Sequence, residues 1–264
     1  MRPPLTGTAA GVPFTALPPD SGGAAPLIVT WHMHAPPCSD AAFAAALPMH
    51  GLPAWRVHLG MPGCGARMAG GRMDAVRQLV RDDALRSYLD PLVRQAAAEF
   101  PAALASLRAQ LPVSGGPVGV LGGSLGGAVA LRVLADSDVP VFAGAVVNAA
   151  IRARSVVNLL TGGYRWDAES EAAAAALDFL ARADAVGRAP LLVVSGECDY
   201  PPLRADAARL AGALGERGEL LTVPGLARPL AEEPGTGPAP QLPLAREVDS
   251  ALTAWFRRHL AGGG

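Results

Sequence analysis

The sequence predicts an α/β protein: a mostly parallel sheet, helices on both of its faces, and a small helical cap. Three observations carry that expectation. Short apolar runs alternate with helix-like stretches along the chain, the pattern of a parallel sheet built from crossover units. The chain has 264 residues, half of them hydrophobic and 17% charged, enough to bury a large core in one α/β domain spanning 1–264. Third, a serine flanked by glycines follows one of the apolar runs and opens a helical pattern.

Taken in order, residues 26–31 (PLIVTW) read as a buried strand and 40–47 as the helix after it. Residues 54–59 (AWRVHL) form the next strand, ending at Gly60. A long helical region spans about 73–111, with breaks expected near Pro91 and Pro101, because proline removes a helix donor and clashes with the preceding turn. Strands are expected at 118–121, 139–147, 190–194 and 219–223, and helices at 126–135, 176–186, 204–214 and 245–260. Two connections are longer than usual: 151–175, read as a cap over the site, and the Pro- and Gly-rich 224–243.

Composition removes several function classes. The formal net charge is −1 and no basic stripe stands out, so a nucleic-acid partner is not expected. All 22 basic residues are arginine; without a lysine, Schiff-base and PLP chemistry and a Walker-type phosphate site are excluded. Cys38, Cys64 and Cys198 are irregularly spaced, with neither a disulfide framework nor a C-x-x-C metal pair. No cofactor is implied. The first residues lack the apolar segment of a secretory signal, and the uncharged stretch 111–131 is interrupted by a glycine-rich turn, so a cytoplasmic protein without a membrane span is expected.

The stretch Gly119-Val120-Leu121-Gly122-Gly123-Ser124-Leu125-Gly126-Gly127 reads as a nucleophile elbow, a sharp strand-to-helix turn with an exposed serine. Such a turn needs residues without Cβ around the serine, where backbone must approach backbone. A glycine turn that only packs helix on strand, or one that holds a phosphate at the helix N-terminus, stays open beside it.

The order strand, elbow, cap insertion, late acid and final helix resembles the α/β-hydrolase superfamily over nearly the whole chain. The resemblance implies a three-layer fold with Ser124 as nucleophile and Asp199, in Ser195-Gly196-Glu197-Cys198-Asp199, as the acid, with Glu197 its competitor. It also implies an oxyanion hole from the Leu125 N–H and a second amide, of Met33 or His34, in the loop Trp31-His32-Met33-His34. Met33 stands where the family carries glycine after the histidine.

In the loop after the last strand, Val223-Pro224-Gly225-Leu226-Ala227-Arg228, arginine occupies the place of the family's catalytic histidine, and no histidine lies between Asp199 and His259. A guanidinium stays protonated near neutral pH and cannot accept the serine proton. The triad is therefore incomplete. His50 and His259 fall near the wrong sheet edge, whereas His32, His34 and His58 follow strand ends on the ligand-binding edge. His34 is the best substitute base, with a neutral loop histidine the alternative. Arg228 either pairs with Asp199 or holds a substrate carboxylate, enolate or phosphate. His32, Tyr164, Trp166 and Tyr200 are the candidates for lining a substrate pocket, and Arg152 and Arg154 solvate the cap.

Three functions stay open: an enzyme acting on a small ester, thioester or amide through Ser124; non-hydrolytic chemistry on the same fold, such as cyclisation, isomerisation or elimination; and a non-catalytic binding protein. In each the partner is a small molecule.

Overall fold

Residues 2–20, 23–68 and 73–261 are described in the computed structural model of this chain. Eight strands form one sheet: β1 (Leu5–Ala9), β2 (Val12–Leu17), β3 (Leu27–Trp31), β4 (Trp55–Leu59), β5 (Val118–Gly123), β6 (Val141–Val147), β7 (Leu191–Gly196) and β8 (Gly218–Val223). Their spatial order is β1-β2-β4-β3-β5-β6-β7-β8. From β4 to β8 every neighbouring pair is parallel, while β2 runs antiparallel to both β1 and β4. The predicted strands are all present. The β1–β2 hairpin is additional, and no hydrophobic alternation reveals it because four of the five residues of β1 are exposed.

Helices α1 (Asp40–Ala46), α2 (Met73–Asp83), α3 (Asp90–Gln110), α4 (Leu125–Asp136), α5 (Ala153–Thr161), α6 (Ala168–Ala176), α7 (Ala183–Val186), α8 (Pro201–Leu214) and α9 (Pro243–Ala261) complete the fold. The strands sort their side chains by the period of two. Val29, Trp31, Val120, Val146 and Val193 join the core with Phe100 and Leu104 of α3, Val129 of α4 and Leu210 of α8. Ile28, Leu121, Ala145, Val147 and Val194 face the opposite way, onto Phe43 of α1 and Val248, Leu252 and Phe256 of α9. Three layers result. Among the described residues, no helix is long and apolar enough to cross a membrane.

Two helix expectations need correction. The 73–111 region does not break at its prolines: Pro91 sits directly after the π-helical turn where α3 begins, and Pro101 lies inside α3, whose buried Phe100, Ala103, Leu104 and Leu107 hold it in place. The interruption comes earlier, as a π-helical turn over Ala84–Leu89 opened by the Asp83 carboxylate, which accepts from the Leu85 and Arg86 amides. The helix expected over 176–186 is divided between the end of α6 and the short α7. Between them the chain closes the base of the 151–175 segment: Ala153 N–H donates to Leu177 O at 3.1 Å, Phe179 N–H to Ile151 O at 3.1 Å, and Arg152 pairs with Asp178 at 3.1 Å. The segment itself is helical, holding α5 and most of α6 and no strand of the central sheet.

The junction of β5 and α4 is held by steric exclusion. A Cβ on Gly122 would stand 2.0 Å from Gly126 O, and one on Gly126 would stand 2.3 Å from Trp31 O and 2.4 Å from His32 O. The elbow is thus pressed directly against the loop leaving β3. Gly126→Ala is expected to destabilise the protein by about 1–3 kcal/mol or more, since the obstructing atoms are backbone and cannot swing aside. Urea unfolding of G126A would check this, and stability within a few tenths of a kcal/mol of the parent protein would refute it.

Candidate active site

Ser124 lies between β5 and α4 with φ 50° and ψ −115°, a backbone conformation L-residues seldom adopt and one that costs about 1–3 kcal/mol where it is imposed. Its own backbone is fixed on both sides: Ser124 N–H donates to Val147 O at 2.9 Å, and Ser124 O accepts from the amides of Ala150 and Gly127. The hydroxyl, on a residue only 6% exposed, is presented at the carboxyl edge of the sheet.

Arg228 reaches that hydroxyl from the loop after β8. Its Nη2 donates to Ser124 Oγ at 2.9 Å, while its Nη1 donates to both Asp199 oxygens at 3.1 and 3.0 Å. Asp199, three residues beyond the end of β7 at Gly196, also accepts from the Tyr200 N–H at 2.8 Å, and its side chain is 1% exposed. The three side chains form a chain Ser124–Arg228–Asp199 in which every hydrogen bond is donated by the guanidinium. Glu197, the competing acid, instead accepts from the Gly225 N–H at 3.0 Å and braces the loop.

Asn148, at the end of β6 with φ 46°, ties the acid-bearing and arginine-bearing segments together, and sequence reading missed it. Its Oδ1 accepts from Gly196 N–H at 2.7 Å, and its Nδ2 donates to the carbonyls of Ala227 at 3.0 Å and Arg228 at 3.2 Å. The residue's only sequence signal was chemical: asparagine tolerates left-handed backbone and carries both a donor and an acceptor. Beyond Arg228 the loop docks on the segment after β3, through Leu230 N–H to Pro36 O at 3.0 Å and Cys38 N–H to Gly235 O at 2.8 Å.

Of the histidines at this edge, His32 and His58 are buried and His34 is half-buried on the cavity wall, and all three are held neutral. His32 bonds Met33 O through Nδ1 at 2.7 Å and accepts the Met61 N–H at Nε2 at 2.9 Å, which fixes it as the Nδ1–H tautomer. Burial pulls it down to about 4. His34 Nδ1 lies 2.7 Å from Tyr88 Oη, its Nε2 is buried without a hydrogen-bond partner, and burial, aided by His32, lowers it to about 3. The geometry therefore argues against His34 as the base for Ser124: one nitrogen is engaged by Tyr88, the other is sealed from the cavity, and the ring resists protonation. His58 bonds Thr30 Oγ1 at 2.8 Å inside the sheet and is lowered to about 3 by burial. His259 stacks on Trp255 of α9, remote from the site.

Met33 is fully buried, and its side chain fills the space that a Cβ on Gly123 would enter, 2.6 Å from Met33 Cγ. The Met33 side chain in the loop is thus matched by a missing side chain in the elbow. Leu125 opens α4 directly after Ser124, and the loop after β3 meets the elbow through the carbonyls of Trp31 and His32, which lie beside Gly126.

A cavity of about 260 Å³ opens beside Ser124, with Arg228, His34, Tyr88 and Tyr200 on its wall. Of the four residues expected to line a substrate pocket, it includes Tyr200 but not His32, Tyr164 or Trp166. Tyr164 turns away because its hydroxyl donates to Asp83 at 2.7 Å, and Trp166 packs between the Tyr164 ring and the Arg154 guanidinium, 4.1 Å above its face. Sequence reading also missed Tyr88, which the π-helical turn aims at His34. A larger depression, about 630 Å³, lies between α3, α4 and the start of β6, at the opposite sheet edge from Ser124.

No family model matches the chain, and no curated protein matches it by sequence. Solved structures do resemble it. TT1662 from Thermus thermophilus is 20% identical with a TM-score of 0.70, over 98% of this chain and 99% of that one. A predicted CIB-like hydrolase from Thermoplasma acidophilum is 13% identical with a TM-score of 0.58, over 97% and 98% of the two chains. An acylaminoacyl peptidase from Pyrococcus horikoshii is 17% identical with a TM-score of 0.61, over 97% of this chain but 41% of the peptidase. The chain has the α/β-hydrolase fold.

Two outcomes follow from the buried groups. Asn148→Gly keeps the left-handed backbone accessible while deleting the amide, and it is expected to lower stability by about 1–3 kcal/mol because the Gly196 N–H loses its partner; unchanged unfolding in urea would show that the tie is dispensable. Stability is also expected to fall as pH drops below 6.5. The unfolded chain takes up protons there, while folded His32, His34 and His58 stay neutral down to about 4, 3 and 3, so each contributes a loss on the order of 2 kcal/mol at pH 5. A flat unfolding midpoint between pH 7 and pH 5 would contradict the burial of these rings.

Proposed function

We propose that this protein is a serine-hydrolase-type enzyme acting on a small ester, thioester or amide, with Ser124 as nucleophile and Arg228 and Asp199 in place of a histidine–acid pair. The observation that carries the reading is the guanidinium held between Asp199 and Ser124 Oγ at the wall of a cavity that opens to solvent. The folds it resembles include a hydrolase and a peptidase, which supports hydrolytic chemistry over a repurposed scaffold.

In this reading the guanidinium does not accept the serine proton. It donates to one lone pair of Oγ, orients the hydroxyl toward the cavity, and stabilises negative charge as the oxygen attacks an acyl carbon. The Leu125 amide and an amide of Met33 or His34 receive the developing oxyanion. The serine proton leaves to water, to hydroxide or with the departing group. No imidazole stands ready to protonate a poor leaving group, so thiolates and acidic alcohols leave readily and amines do not. Thioesters and activated esters are the favoured substrates, and amides are the slowest.

Ser124→Ala is expected to abolish hydrolysis of a p-nitrophenyl ester. Arg228→His places an imidazole between Asp199 and Ser124, and the ester rate is expected to rise about 10²–10⁴-fold, the contribution of a positioned base. Full retention of hydrolysis in S124A would overturn the nucleophile assignment, and an unchanged rate in R228H would remove Arg228 from the reacting group.

A further inference from the structure

The cavity beside Ser124 has a defined electrical and chemical character. Its one cationic side chain, Arg228, is already neutralised by Asp199, whose carboxylate is 1% exposed. His34 is held neutral by burial, and burial pushes the Tyr88 phenol up, so neither supplies charge. Apart from these groups, the wall is dominated by aliphatic side chains: Leu89 from the π-helical turn, Val156, Leu159 and Leu160 from α5, and Leu203 from α8. A charged ligand would lose its hydration here without gaining a counter-charge.

The rim carries a second, independent mark. Leu159 and Leu160 are 38% and 46% exposed, and Tyr200 is 53% exposed, so three large apolar side chains face water where the cavity opens. An apolar chain laid across them would remove that surface from water. The volume sets the scale of the part that the cavity holds. At about 30 Å³ for each water-sized group, 260 Å³ holds roughly nine non-hydrogen atoms.

We propose that the site takes an uncharged, unbranched or lightly branched acyl group of about six to eight carbons, seated between Leu203 and the α5 leucines with its carbonyl at Ser124. This rests on Ser124 being the acyl-reacting group. Leu160 is the specificity-determining residue at the rim: it is exposed, so its replacement leaves the core intact.

The test has a catalytic arm and a binding arm. Across p-nitrophenyl acetate, hexanoate, octanoate and dodecanoate, kcat/KM is expected to rise by up to about fourfold per added methylene as far as the six-to-eight-carbon chains and to fall at dodecanoate. The p-nitrophenyl half-ester of suberic acid, with a carboxylate at the far end, is expected to be at least about tenfold poorer than the octanoate. Leu160→Lys is expected to reverse part of that penalty, raising the half-ester relative to octanoate several-fold. The binding arm uses S124A and ligand-observed NMR with acetamide, octanamide and suberamic acid; octanamide alone is expected to bind. Octanamide binding in S124A with no turnover by the parent protein would sustain this inference while overturning the hydrolase reading. Turnover or binding indifferent to chain length and to the terminal carboxylate would overturn the inference itself.

Discussion

The site depends on one permanent cation fixed between a buried carboxylate and a serine hydroxyl. Asp199 is almost entirely removed from water, and leaving such a carboxylate without a partner would be strongly unfavourable. Arg228 supplies that partner through a single nitrogen that contacts both oxygens, which leaves its second terminal nitrogen free to reach Ser124. An imidazole in the same place would have one nitrogen for the acid and one lone pair for the serine proton. The guanidinium has only donors. The hydrogen bond to serine is therefore donated by the cation, and in the proposed function that contact stabilises negative charge without accepting a proton.

Around that interaction the fold is over-determined. Gly122 and Gly126 allow α4 to sit against β5 and against the carbonyls of Trp31 and His32, and no side chain can be added at either without displacing backbone. Asn148 joins the strand end that precedes Asp199 to the loop that carries Arg228, so the acid and the cation move as one unit. The loop from β8 is fastened in turn to Pro36 and Cys38. The strained backbone at Ser124 persists because each of these contacts would be lost if it relaxed.

How much of this was legible in the sequence follows from the physics of each feature. Buried parallel strands announce themselves as short apolar runs, and the elbow as glycines that only a close backbone approach requires. Arg228 could be singled out because the loop after the last strand is where the resembling hydrolases carry a histidine. Other features had no local signature. The exposed face of β1 hid the hairpin, and the π-helical turn shifted the helical register so that Tyr88, not a cap aromatic, met the cavity. Tyr164 and Trp166 looked like pocket residues, but Asp83 and Arg154, one of them some eighty positions away, hold them elsewhere. His34 lies with Ser124 on the cavity wall, yet its unsuitability as a base depends on its surroundings and on Tyr88, neither of which spacing reveals.

The central claim is that no imidazole serves Ser124 and that its hydrogen-bond partner is a cation. The second-order rate of Ser124 modification by a fluorophosphonate, followed from pH 5 to pH 9, tests it most directly. The account predicts a rate that climbs steadily with pH and does not level off, because hydroxide and water, with no titrating side chain, take the proton. A sigmoidal profile with its midpoint near pH 6.5, the signature of a histidine base, would contradict it.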